Sequence, residues 1–159
     1  LAVWTLPPSP AVWQTVIERV APTTLYLFGV DPGLDNPQAF LERLVGLVKH
    51  ALREANRESH GCGVNIRLAD LAAVTAQREI TIYKGLLWLA AKGYVTVQEK
   101  GTSPIDANVC LRPGDPTAGA KADAAAIAGA IAGELKSLLD ETAAYRRYFL
   151  RVEKDRILP

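Results

Sequence analysis

The chain has 159 residues, of which 49% are hydrophobic and 22% are charged, and its formal net charge is +1. This composition is typical of a globular protein with a substantial core and excludes intrinsic disorder. The weak net charge excludes strong electrostatic steering towards nucleic acid or anionic membranes. No apolar run reaches the length of a transmembrane helix, so we expect no membrane partner.

Two cysteines, Cys62 and Cys110, are the only ones in the sequence. Two thiols cannot complete a zinc site, and His50 and His60 add no recognised ligand spacing, so no metal site is predicted. The N-terminus lacks the layout of a signal peptide, which favours free thiols in a reducing cytoplasm. The sequence also contains no methionine, so we expect it to be a piece of a longer protein.

Residues 1–60 are predicted to form a β-α-β-α unit. Its strands are Ala2–Leu6 and Thr24–Phe28, and its helices follow Ser9 and Asn36, each a capping residue before a proline. Both strands are continuously apolar, which favours a short parallel sheet covered on both faces. Because two strands alone make a poor sheet, we expect neighbouring strands from a missing part of a parent protein or from a hairpin further along the chain.

Residues 61–112 are predicted to form a winged helix-turn-helix. The order is strand, short helix, turn, second helix and hairpin, and the apolar spacings switch between helical and strand periods accordingly. The predicted elements are Val64–Arg67, Leu68–Ala73, Glu79–Lys92, Tyr94–Gln98 and Ala107–Leu111. The fold class expected for the whole chain is therefore α/β plus a winged helix.

The second helix of this unit carries the candidate contact residues. We predict that Gln77, Arg78, Thr81, Lys84 and Trp88 face outward. Arg78 and Lys84 would reach phosphate and Gln77 a base edge, whereas Trp88 would anchor a protein contact. Six basic residues against four acidic ones leave residues 61–112 at only +2. A wing that packs against protein is therefore at least as well supported as a DNA reader.

Residues 113–120 are predicted to be a linker, and residues 121–159 a helical segment that packs on the rest. One long helix, or two in tandem, is expected from about Ala122 to Glu153. Its apolar stripe is close to a heptad pattern and comprises Ile127, Ile131, Leu135, Leu138, Thr142, Tyr145, Phe149 and Val152. The pattern favours core packing within the chain over a dimer seam, and Gly129 and Gly133 would let another helix approach closely.

Arg146 and Arg147 lie among aromatic residues in this segment. Such a mixture would stack on and neutralise single-stranded DNA. Four acidic residues nearby (Asp140, Glu141, Glu153 and Asp155) cancel the positive charge. The pattern therefore favours a core helix with a solvated face, and any DNA binding is expected to be weak.

Three stretches, Ala2–Pro10, Thr24–Gly29 and Glu141–Phe149, resemble the extra C-terminal domain of some bacterial RecJ proteins. These are single-strand-specific 5′→3′ DNA exonucleases of the DHH phosphoesterase superfamily, acting in recombination and repair. The resemblance implies a non-catalytic accessory domain that binds the parent nuclease core or a repair protein, or helps to hold single-stranded DNA. The family's Asp-His-His motif has no match here, so Mn²⁺ or Mg²⁺ is implied only for the parent's catalytic core, and no cofactor is expected in this chain.

Two other functions fit parts of the sequence. One is a winged-helix DNA-binding transcriptional regulator, in which the long C-terminal helix dimerises. The other is a small α/β enzyme that uses Asp31. This residue lies in the segment Gly29–Gly33, directly after the predicted strand Thr24–Phe28. The segment lacks a nucleotide-binding glycine pattern, and Asp31-Pro32-Gly33 is more typical of a turn.

Overall fold

The computed structural model of the protein describes residues 1–58, 63–100, 108–115 and 122–152. The predicted α/β class, short parallel sheet and long C-terminal helix are confirmed. Cys62, most of the predicted linker and the predicted helix end at Glu153 lie outside the described residues. The elements are β1 (Ala2–Val3), α1 (Pro10–Val20), β2 (Tyr26–Leu27), α2 (Pro37–Glu58), β3 (Val64–Arg67), α3 (Leu68–Thr75), α4 (Glu79–Ala91), β4 (Val95–Lys100), β5 (Asn108–Pro113) and α5 (Ala122–Phe149).

Both predicted capping residues start their helices. The Oγ of Ser9 accepts the N–H of Val12 (3.4 Å), and the Oδ1 of Asn36 accepts the N–H of Ala39 (2.9 Å). Each bond satisfies one of the N–H groups that a helix N-terminus leaves without a partner inside the helix. Because Asn36 provides the cap of α2, the adjacent carboxylate of Asp35 is available for other contacts.

The parallel sheet consists of β1 and β2, with Ala2 opposite Tyr26 and Val3 opposite Leu27. The expectation that both faces are covered is wrong, because Tyr26 and Phe28 are exposed on one of them. The alternative in which the hairpin completes this layer is also wrong. The hairpin strands β4 and β5 pair with β3 in a separate antiparallel sheet of order β3-β5-β4.

The main hydrophobic core lies between this antiparallel sheet and four helices. Its fully buried side chains come from α2, α3, α4, β5 and α5: Phe40, Leu44, Leu68, Ile82, Leu86, Leu89, Val109, Leu111, Leu135 and Leu139. Gly85 lets α2 and α4 approach each other. A Cβ there would lie 2.5 Å from Cδ2 of Leu44 and 2.9 Å from Cε1 of Phe40, distances that a packed interior does not allow.

A second, smaller cluster closes the N-terminal part of the molecule. It contains Leu6, Trp13, Ile17 and Phe149. The rings of Trp13 and Phe149 meet edge to face, with centroids 5.1 Å apart. The predicted 1–60 unit is therefore divided, since α1 packs in this cluster while α2 packs in the main core.

Helix α5 contributes to both clusters. Its buried residues are Ala128, Leu135, Leu139, Thr142, Arg146 and Phe149. The predicted stripe is therefore confirmed at Leu135, Thr142 and Phe149, but Ile127 is exposed and Leu139 is buried instead of the half-buried Leu138. The predicted close approach at Gly129 and Gly133 is wrong, because a Cβ at either position would meet no atom within 4 Å in the described part of the chain.

Helix α5 packs chiefly along α4 and, towards its C-terminal end, against the cluster around Trp13. Within the described ranges, no helix is both long enough and apolar enough to cross a membrane.

Candidate functional site

Helix α4 has no solvent-exposed face, because every residue from Glu79 to Ala91 is buried or half-buried. Thr81 is completely buried, and Gln77, just before the helix, is 3% exposed. The prediction that these two residues face outward is therefore wrong. Helix α5 packs along α4, and the side chain of Gln77 donates to Leu34 and Asp35 in the segment before α2. The sequence of α4 reveals neither contact.

Arg78 and Lys84 are held by α5. The Nη2 of Arg78 donates to the carbonyl oxygen of Leu138 (3.0 Å) and to the Oε2 of Glu141 (2.9 Å). Lys84 forms an ion pair with Glu134. Both positive charges predicted to contact phosphate are thus paired with carboxylates of the same chain, and each side chain is only about a quarter exposed.

Gln77 and Arg146 belong to a buried polar network centred on Asp35. The Nε2 of Gln77 donates to Oδ1 of Asp35 (2.9 Å), and the guanidinium of Arg146 pairs with the same carboxylate. Arg146 also donates to the backbone carbonyls of Leu6 (3.2 Å) and Ala76. The network joins the N-terminal segment, the turn between α3 and α4, and α5. Only the competition between Asp35 and Asn36 for one helix cap hinted at it in the sequence.

Arg147 is exposed, and its Nε donates to the carbonyl oxygen of Ala143 (3.3 Å). It borders a cavity of about 240 Å³ at the carboxyl ends of β1 and β2, together with Asp31, Val30 and Leu150. Asp31 makes the predicted turn, because its Oδ1 accepts the N–H of Gly33 (2.8 Å). In the described ranges, no group of His, Cys, Asp and Glu side chains is arranged to hold a metal ion.

Trp88 borders an apolar groove on the surface. This groove, of about 540 Å³, lies between α2 and the segment from α4 to β4. Its apolar walls include Leu41, Val45, Leu52, Trp88 and Tyr94, and Glu42 and Lys49 add opposite charges. The ammonium group of Lys92 lies 5.7 Å from the centroid of the Trp88 ring, within the range of a cation–π contact.

A second apolar surface lies on the parallel sheet. Trp4, Tyr26 and Phe28 are all exposed, and we call them the aromatic face. The rings of Trp4 and Phe28 touch, with centroids 4.9 Å apart and planes inclined by 38°. Sequence reasoning missed this surface because continuous apolar strands predict burial on both sides.

Comparison of the chain with protein-family models, with curated proteins and with solved structures found no significant match. The chemistry of the surfaces described above therefore carries the functional argument.

Proposed function

We propose that this chain is a non-catalytic accessory domain that binds a partner protein through the groove between α2 and α4. Its partner would be the core of a RecJ-like single-strand-specific 5′→3′ exonuclease or another protein of DNA recombination and repair. The link to that exonuclease rests on the resemblance of Ala2–Pro10, Thr24–Gly29 and Glu141–Phe149 to its C-terminal domain. We further propose that β3, α3, α4, β4 and β5 form a winged helix whose second helix serves packing.

One observation supports the interaction role. Aromatic surface at the groove is accessible to a partner, whereas Arg78 and Lys84 are paired with carboxylates of α5. Tyr94 is 62% exposed and Trp88 is half-buried on the apolar wall. An exposed tyrosine beside a half-buried tryptophan at an apolar depression is typical of the anchor points of protein interfaces, because aromatic side chains bury a large area at small entropic cost. The groove is large enough to receive several partner side chains.

The energetics of α5 argue against DNA reading by α4. For α4 to enter a groove of DNA, α5 would have to leave it, which would expose the fully buried Leu135 and Leu139. Burial of one leucine side chain contributes about 1.5–3 kcal/mol. Exposed ion pairs contribute at most about 1 kcal/mol each. A phosphate contact of each cation would replace an ion pair of this size. Two such contacts therefore do not offset the exposure of the two leucines, and α5 stays on α4.

The second candidate is the winged-helix transcriptional regulator. The order of elements from β3 to β5 and the two cations on α4 favour it, and it requires that α5 separate from α4. Fluorescence anisotropy with labelled single- and double-stranded oligonucleotides separates the candidates. We expect weak binding that physiological salt largely removes, with no further loss in Arg78→Ala or Lys84→Ala. Tight, sequence-dependent binding that either substitution abolishes would favour the regulator.

Calorimetric titration tests the interaction role directly. The chain would be titrated into a RecJ-type catalytic core that lacks its own C-terminal domain. We expect binding that Trp88→Ala and Tyr94→Ala each weaken at least about tenfold, which corresponds to about 1.4 kcal/mol. Tyr148→Ala, an exposed tyrosine on α5, serves as the control and should leave the affinity unchanged. Equal affinities for all four proteins would contradict the proposal.

A further inference from the structure

The aromatic face consists of the side chains that point away from the N-terminal cluster. Successive residues of a strand point to opposite faces of a sheet. Val3 and Leu25 accordingly pack against the cluster around Trp13, whereas Trp4, Tyr26 and Phe28 point outward. These three are 64%, 62% and 57% exposed. Three aromatic rings therefore face solvent on one side of the small sheet. The other side packs against the cluster through Val3 and Leu25 and leaves Leu27 39% exposed.

This surface continues beyond the sheet. Val30 follows β2, and its N–H donates to the carbonyl oxygen of Trp4 (2.9 Å). Leu150, just after α5, lies close to Gly29: a Cβ on Gly29 would be 3.3 Å from the Cδ2 of Leu150. Both side chains are exposed. The aromatic face therefore continues into Val30 and Leu150, and Asp31 and Arg147 border the same cavity as these two residues.

We propose that the aromatic face binds a second copy of this chain, forming a two-fold symmetric dimer. The five exposed side chains offer roughly 600 Å² per copy, since an aromatic residue presents about 150–250 Å² when fully accessible. Two copies would bury at most about 1,200 Å² in total, at or below the lower end of specific protein interfaces. The dimer is therefore weak and concentration-dependent.

A second copy suits this surface because a two-fold interface brings the same area of both subunits together. Uncharged aromatic side chains meet their equivalents, and rings pack against rings in tilted or edge-on geometry. The surface is separate from the groove at Trp88, so the dimer does not depend on the proposed partner interaction and can fail or succeed independently of it.

Sedimentation equilibrium from about 10 μM to about 1 mM protein tests the dimer, because its population must rise with concentration. We expect a reversible monomer–dimer equilibrium in the wild-type chain. Tyr26→Lys should weaken dimerisation at least about tenfold, because it places a charge in the apolar interface. Tyr94→Lys is the matched control, the same substitution at a tyrosine that is also 62% exposed, and it should leave the equilibrium unchanged.

Backbone NMR of the wild-type chain provides a second measurement that needs no variant. Raising the concentration should shift the resonances of Trp4, Tyr26 and Phe28 and leave those around Tyr94 in place. A monomer over the whole range, or a dimer that Tyr26→Lys leaves intact, would overturn the proposal. A third outcome would also overturn it. If the resonances of these three residues shift when oligo(dT) is added to dilute protein, but do not shift with protein concentration, single-stranded DNA and not a second copy binds the face.

Discussion

Arg146 and Arg147 are neighbours in the sequence and have opposite surroundings. The side chain of Arg146 is 7% exposed and bonded to Asp35 and to two backbone carbonyls, whereas Arg147 lies on the surface. Both arginines were predicted to contact nucleic acid or a partner. A helix turns by about 100° per residue, so one of two adjacent residues easily faces the core. The sequence places this pair on a helix. It does not show which side of that helix faces Asp35 in the fold, and this decides which arginine is buried.

Replacement of Arg146 by alanine should destabilise the fold strongly. It would leave the Asp35 carboxylate without its cation and the carbonyl oxygens of Leu6 and Ala76 without their donor. Breaking a buried ion pair in this way costs about 3–5 kcal/mol, measurable by urea denaturation. Arg147→Ala is the control and should change the free energy of unfolding by less than about 0.5 kcal/mol. Similar losses in both variants would contradict the role assigned to Arg146.

Tyr145 should ionise late in an alkaline titration. Burial raises the pKa of its hydroxyl, and the charge of nearby Tyr148 raises it further. The folded state therefore holds this proton more tightly than the unfolded chain, whose tyrosines titrate near pH ~10. The contribution of Tyr145 to stability is complete below that pH and is lost as the pH rises through the higher folded pKa.

Tyrosinate absorbance followed against pH tests this expectation. Tyr145→Phe should remove one late step of the titration. Tyr148→Phe should keep that step and lower its midpoint slightly, because one source of repulsion is gone. Disappearance of the step in Tyr148→Phe alone would show that the assignment to Tyr145 is wrong.

At the scale of the elements, local signals predicted the chain well and contacts between distant segments did not follow from them. The caps at Ser9 and Asn36, the strand β3 and the hairpin β4–β5 depend on residues close together in the sequence. Helix α4 is covered by α5, and Gln77 bonds to Leu34 and Asp35, so both contacts join segments that lie far apart in the sequence. A helix that is largely apolar on every side, as α4 is, signals that it is enclosed. The sequence does not say which element encloses it.

Two glycines on different helices should respond in opposite ways to substitution by alanine. Gly85→Ala forces a methyl group against Leu44 and Phe40, and such overpacking costs about 1–3 kcal/mol. Gly133→Ala adds a methyl group in open space on α5 and should stabilise the protein by about 0.5–1 kcal/mol through helix propensity. Thermal or urea denaturation of both variants measures the two effects. A stabilising Gly85→Ala would contradict the close approach of α2 to α4.

At the scale of the whole molecule, α5 links two hydrophobic clusters. Leu135 and Leu139 are completely buried in the main core, and Phe149 packs against Trp13 in the smaller cluster. The network of Asp35, Gln77 and Arg146 lies between them and joins the same segments. The predicted boundary at residue 60 marked a change of sequence pattern, but a boundary in folding would require few contacts across it. The contacts of α2 and α5 run across it.

The whole chain should therefore unfold as one cooperative unit. Two variants that keep only Trp13 or only Trp88 would report separately on the smaller cluster and on the main core. In urea, their fluorescence transitions should coincide in midpoint and steepness, as a two-state transition requires. Leu135→Ala removes a completely buried side chain of α5 and should lower the free energy of unfolding by about 2–5 kcal/mol. Both midpoints should therefore fall together. Ile127→Ala, at an exposed position of the same helix, should have little effect on either. If Leu135→Ala shifted only the Trp88 transition, the N-terminal cluster would fold without the core, and α5 would not couple the two.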